Sequence, residues 1–252
     1  MIWQHAFLET RWRFLIGLVL LPVSAAFVAL SYPQVTALSQ SVTPAPDTAL
    51  GREIAEAMEL SKTYGGYVWS QWFQQNGAQL AGLFAAIIGT GGLLSQTAAA
   101  RLFTLSLPVS RERLLAARAA AGLGQMLALT VVPALVIVLV SPLVGRSFPL
   151  LDALAYALCA FVGSAVFFSV AFFFSSMFGS VWAPIVLTLC SGAMLAALDR
   201  ITGADRFSLI QMVHGESYFK GNGLPWPMFA VSLAVSAALL YSGTRLVARQ
   251  DF

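Results

Sequence analysis

Charge is scarce in this sequence. Asp, Glu, Lys and Arg make up 10% of the 252 residues, against roughly 25% in an ordinary soluble domain, and mean hydropathy is +0.79. A sizeable soluble domain is excluded. Histidine is almost lacking, with only His5 and His214, and the topology derived below sets these toward opposite sides of a membrane. A serine nucleophile therefore finds no base beside it. Cys159 and Cys190 stand inside apolar runs, where thiols behave as small hydrophobes, and neither a metal spacing nor a disulfide framework is present. Gly89-Thr-Gly-Gly92 has no lysine after it, so the nucleotide-binding pattern GxxxxGK[ST] is missing. No clustered basic run exists to hold nucleic acid.

What is abundant is apolar length. Six runs, at about 14–31, 76–97, 114–141, 153–175, 180–198 and 226–244, carry almost no charge. About 20 residues at ~1.5 Å rise cross a hydrocarbon core of ~30 Å. The runs predict an all-α polytopic membrane protein, one transmembrane domain over 1–252 with six transmembrane helices. None of the runs has an acid or a histidine in its middle. An ionisable group there costs at least ~2.5–3.5 kcal/mol, so proton relays stand out as exceptions. Their absence argues against a proton-driven carrier and against an intramembrane aspartyl or metalloprotease. Arg118 lies near the end of its run, where it can snorkel.

The basic residues are unevenly spread. Arg11, Arg13, Arg101, Arg111, Arg113, Arg118, Arg245 and Arg249 share one side, against Glu9, Glu112 and Asp251. Short basic loops stay inside, which predicts both termini cytoplasmic. Residues 1–13 mix Ile2, Trp3, Phe7 and Trp12 with Gln4, Glu9, Arg11 and Arg13, the composition of an interfacial amphipathic helix. A signal peptide is the rival, but its apolar region is only ~7–15 residues long, and the run here is longer.

The outer loop 32–75 is the longest polar segment. Its prolines Pro33, Pro44 and Pro46 predict extended chain, followed by a short helix from Asp47 or Thr48 to Lys62. Tyr64, Tyr67, Trp69, Trp72 and Phe73 then suit an aromatic belt at re-entry to the membrane; a ligand-stacking platform is the sharper alternative. Ala81, Ala85 and Gly89, and again Ala116, Ala120 and Gly124, are small residues four apart. Such spacing allows close helix approach, within one subunit or between two. Pro22, Pro133 and Pro184 stand inside runs, where they kink helices. The phenylalanines of Phe167–Phe174 suit lipid contact. The segment 199–225, amphipathic with Ile201, Phe207, Leu209, Ile210, Met212 and Val213, predicts one or two short outer or re-entrant helices. His214 in it reads as a solvated loop residue.

The organising stretch is 98–113, with Arg101 through Arg118 around it. Leu102, Phe103, Leu105 and Leu107 form a short amphipathic piece stopped by Pro108, which disfavours helical geometry at Leu107. Ser110 can cap a new helix, with Glu112 at its positive end. A plain turn needs only a few residues; this one keeps an apolar face outside the membrane. Six spans, no internal energy source and one inner docking face suggest a pump driven by another protein.

In Leu105-Ser-Leu-Pro-Val-Ser-Arg-Glu-Arg-Leu-Leu-Ala-Ala-Arg118, with Ser217-Tyr-Phe near Gly223-Leu-Pro-Trp226 and the end Ala248-Arg-Gln-Asp-Phe252, the chain resembles the ABC-2 type permeases, membrane subunits of bacterial ABC exporters. The resemblance implies a multi-pass protein of the bacterial cytoplasmic (inner) membrane. It implies a coupling helix, with Arg101, Thr104, Leu105, Leu107, Pro108, Val109, Ser110, Arg111 and Arg113 against a separate ABC ATP-binding subunit. The chain itself would bind no cofactor and would not be an enzyme, ATP and Mg residing on that partner. A second permease copy or paralogue and membrane lipid complete the expected partners. Family members often carry an acid and a Gly-Thr before the helix; Gln96-Thr-Ala-Ala-Ala100 stands here instead. A non-transporting membrane scaffold and a secondary carrier or channel are the other readings of the same sequence.

Overall fold

The computed structural model describes residues 2–39, 55, 58–91, 111–202 and 208–248. These are mostly helical, with no strand among them. The long elements are α1 (Ile2–Leu30), α5 (Arg111–Val140), α6 (Leu150–Ser175), α7 (Trp182–Thr202) and α10 (Trp226–Ala248). Five helices are long and apolar enough to cross a membrane: Thr10–Leu30, Glu112–Val144, Leu150–Ser175, Trp182–Ile201 and Trp226–Val247. They are compatible with a multi-pass membrane protein. Between them lie α2 (Tyr32–Ser39), α3 (Tyr64–Val68), a π-helical stretch (Trp69–Asn76), α4 (Gly77–Gly89) and a 3-10 turn (Ser141–Val144). Two short helices, α8 (Leu209–His214) and α9 (Glu216–Phe219), precede the last long one.

Side-chain bonds fix which ends lie together. At one end Tyr67 donates to the Val28 carbonyl (3.1 Å), the Tyr64 and Ser141 hydroxyls share a bond (2.7 Å), and Tyr218 donates to Asp152 (2.8 Å). At the other, Arg13 and Arg118 both donate to the Thr90 carbonyl, and Arg245 pairs with Glu112 at 3.6 Å. Successive long segments therefore alternate in direction, and α1 begins at the end of the bundle where α10 stops.

The core is built around α6, which packs on α4, α5, α7, α8 and α10. Two close approaches define its seams. A Cβ on Gly89 would lie 2.6 Å from the Phe168 carbonyl oxygen, and one on Gly122 would lie 2.5 Å from the Phe168 ring. Several hydroxyl side chains inside the apolar helices are satisfied by their own preceding turn: Thr130 bonds to Met126, Ser169 to Ala165 and Thr188 to Pro184 carbonyls, the usual solution where water is absent.

Several expectations change. Residues 2–13 are not a separate interfacial helix; they continue into α1 without a break, since nothing in 1–13 stops a helix. The run at 76–97 is helical only from Gly77 to Gly89, but helix reaches back to Tyr64 through the π stretch, and 92–97 lie outside the described residues. The aromatics of 64–73 do not form a belt. Tyr64, Tyr67, Trp69, Trp72 and Phe73 are buried, with Trp69 stacked on Phe219 at 3.9 Å and Phe73 on Tyr156 at 4.7 Å. Phe168 and Phe172 are core residues rather than lipid contacts, while Cys190 is exposed and Cys159 buried. Pro22 and Pro133 are carried inside unbroken helices, and Pro184 stands in the first turn of α7, where its missing N–H costs nothing. Of the helix expected from 47 or 48 to Lys62, residues 55 and 58–62 are described; 55 and 58–61 are helical and Lys62 is in a turn.

Candidate functional site

Most of the stretch singled out by sequence lies outside the described residues: Arg101, Thr104, Leu105, Leu107, Pro108, Val109 and Ser110 fall within 92–110. Arg111 opens α5 and Arg113 is exposed in its first turn. What is described is the point from which that stretch departs. α4 ends at Gly89, and its last carbonyls are caught by two guanidinium groups. Arg13 donates to the Ile87 and Thr90 carbonyls (2.9 and 3.0 Å), and Arg118 to the Thr90 carbonyl (2.9 Å). Cations at a helix C-terminus answer both the orphan carbonyls and the negative end of the dipole. Arg118 does not snorkel; it is buried, with its guanidinium 5.9 Å from the Phe172 ring. Gly91 then turns away at φ +96, a left-handed geometry that favours glycine.

A second feature lies toward the opposite end. A groove of about 860 Å³ opens between the π stretch with α4 on one side and α7 on the other. Its upper wall is amide-rich: Gln74, Gln75 and Gln79 from the first side face Gln211 of α8. π-Helical stretches recur at functional sites, and here the wider turn brings Gln74 and Gln75 to the groove that Gln79 and Gly82 also line. Farther in, the lining changes to Gly82, Leu83, Phe167, Leu189, Gly192 and Ala193. Asp199 and Arg200 stand at the rim, and the Asp199 carboxylate accepts from Ser208, whose oxygen also caps α8 by accepting from the Gln211 amide at 3.0 Å. Sequence reasoning missed the glutamines. Gln75 and Gln79, four apart beside an apolar run, were the available signal.

His214 also lines the groove, half-buried rather than solvated. Its carbonyl accepts from Trp69 Nε1 at 2.9 Å. Burial pushes the imidazole below its ordinary value, partly opposed by the Glu216 carboxylate. A lowered folded value means that the unfolded or locally opened form binds the proton more readily. The stability is therefore present above the ordinary histidine range near ~6.5 and is lost as pH falls through it. Acidification is expected to loosen α8 and α9, read as lower amide protection factors at 209–219 after the pH dependence of intrinsic exchange is divided out, with His214→Gln flattening the pH response. Unchanged protection factors in the wild-type chain would discard this.

On the far side of the same end, the bond to Asp152 raises the Tyr218 phenol above its usual range, which keeps it a donor. Among the described residues no group of three or more His, Cys, Asp or Glu is arranged to hold a metal ion. Comparison with protein-family models, with curated proteins and with solved structures finds no match.

Proposed function

We propose that this chain is the membrane-spanning permease subunit of an ATP-driven exporter of ABC-2 type. The observation that supports it best is where the Leu105–Arg113 stretch is tethered. It leaves α4 at the arginine-held Thr90–Gly91 and returns as α5 at Arg111, at the end that also holds Arg13 and Arg245. In this reading that end is cytoplasmic in a bacterial inner membrane. The helical path from Tyr64 to Gly89 is the second of six spans, and α8 with α9 are the short outer helices before the last. ATP and Mg belong to a separate ATP-binding subunit, docked on Arg101 and Thr104–Arg113, and two permease chains make the working unit. Closure of the partner around ATP moves the coupling stretch, and the spans pass between two arrangements that it biases differently.

Mild-detergent affinity purification of the tagged chain tests this. A soluble Walker-motif ATPase is expected to copurify, and to be lost with Leu105→Asp or Arg111→Glu while the membrane part stays monodisperse. Recovery of the chain alone, or with only membrane partners, removes the permease reading in favour of a scaffold.

A further inference from the structure

The groove between the π stretch with α4 and α7 has an internal division that constrains what it holds. The amide end offers donors and acceptors together, since each glutamine carries both. The side chains of Gln74, Gln75 and Gln79 make no hydrogen bond to another described residue. No excess of charge accompanies them: Asp199 and Arg200 are opposite in sign. The inner end is apolar and made of small residues, and it opens sideways, with Leu83, Leu189 and Ala193 exposed. From Gln75 to Leu83, and from Asp199 to Leu189, the walls run about 12–15 Å at ~1.5 Å per residue, near half of a hydrocarbon layer. Gly82 sharpens the point. A Cβ there would meet nothing within 4 Å, so no packing contact among the described residues requires glycine, although glycine costs a helix about 1 kcal/mol relative to alanine. The open space beside Gly82 belongs to the groove.

We infer that this groove is a binding site for a membrane amphiphile with an uncharged, hydroxyl- or amide-rich head group. The head sits among Gln74, Gln75, Gln79 and Gln211, and the apolar tail lies along Gly82, Leu83, Gly192 and Ala193. A polyol or amide head matches groups that donate and accept at once, whereas a phosphate head at this rim would meet the Asp199 carboxylate as well as Arg200. Access is lateral, from the half of the membrane beside α8. That the amphiphile is cargo rests on the permease reading; that it binds does not.

The probes are an alkyl glucoside bearing a diazirine on its chain and the alkyl phosphate of equal length. Each is added to the full chain in phosphatidylcholine nanodiscs without any ATPase. After irradiation, the glucoside is expected to label peptides covering 74–83 and 188–200 in preference to the other exposed helices. Gln75→Leu or Gln79→Leu should each reduce that labelling roughly fivefold, the weight of one hydrogen bond. Gly82→Phe should abolish it in a chain that still elutes as a single species, since its side chain enters open space. Equal labelling by the phosphate, labelling spread evenly over all exposed helices, or indifference to Gly82→Phe would each overturn the site. Because no ATPase is present, this outcome is independent of whether one copurifies.

Discussion

Replacing Gly89 with leucine is expected to abolish the folded bundle, while the same replacement at Gly124 leaves it standing. A Cβ at Gly89 would sit 2.6 Å from the Phe168 carbonyl oxygen and 2.8 Å from the Ala171 Cβ, against nothing within 4 Å at Gly124. The obstacle at Gly89 is backbone and a short side chain of α6, neither of which can swing aside. α6 is also the helix on which α4, α5, α7, α8 and α10 all rest, so a shift at this seam reaches every neighbour. The cost lies at or above the top of the ~1–3 kcal/mol typical of core overpacking. Gly124 is interior to α5 and its replacement gains helix propensity of order 1 kcal/mol, whereas Gly89 is the last residue of α4 and gains less; the packing cost at Gly89 is the larger part of the contrast. Thermal unfolding in detergent, followed by the monodisperse fraction on size exclusion, reads it. Equal midpoints for the two variants would mean that α4 and α6 do not meet as described.

The same pair of glycines shows what the sequence could and could not tell. Small residues four apart were visible on both segments, and the spacing marks a face that allows close approach. It does not name the neighbour. Ala81, Ala85 and Gly89 are buried, Gly89 against α6, whereas Ala116, Ala120 and Gly124 are exposed and Gly122 makes the contact instead. Apolar length was legible for the same reason that hydropathy works at all: backbone groups without water must bond within a helix. The π stretch was not, because Trp69–Asn76 has no breaker and its polar face is Gln, Ser and Asn rather than charge. That polarity suggested a loop, and buried aromatics on the opposite face, Trp69, Trp72 and Phe73, kept it helical. Aromatic residues at a membrane boundary read equally as a belt or as core. The stacking of Trp69 on Phe219, 150 residues away along the chain by their numbers, decides for core and is invisible to any local pattern. The groove suffered the same limit: its glutamines come from segments joined only by the fold, Gln79 on one side and Gln211 on the other.

The arginine pair at the end of α4 should behave as one device rather than two. Arg13 and Arg118 share the Thr90 carbonyl, at 3.0 and 2.9 Å, and a carbonyl has two lone pairs to offer. Removing Arg118 alone, as Arg118→Leu, leaves Thr90 satisfied by Arg13 and costs about 1.5–3 kcal/mol, the worth of a hydrogen bond to a charged group. Removing Arg13 alone leaves Thr90 to Arg118 but strips the Ile87 carbonyl of its bond from Arg13 Nη1 (2.9 Å); Thr90 Oγ1 still donates there at 2.8 Å. Only the double variant leaves the Thr90 carbonyl bare, adding the ~1–3 kcal/mol penalty of an orphaned buried acceptor. The double-mutant cycle is therefore expected to be more destabilising than the sum, by an interaction energy within the ~0.5–3 kcal/mol seen for residues sharing a network. Lysine at position 118 should recover only part of the loss, because a point charge cannot reproduce the planar fork. Unfolding midpoints of the four chains in one detergent give the cycle directly. Simple additivity would mean that each arginine serves its own carbonyl, and that the end of α4 is not clamped between α1 and α5. A positive interaction energy makes the Thr90 carbonyl a shared anchor that holds the end of α4 between α1 and α5.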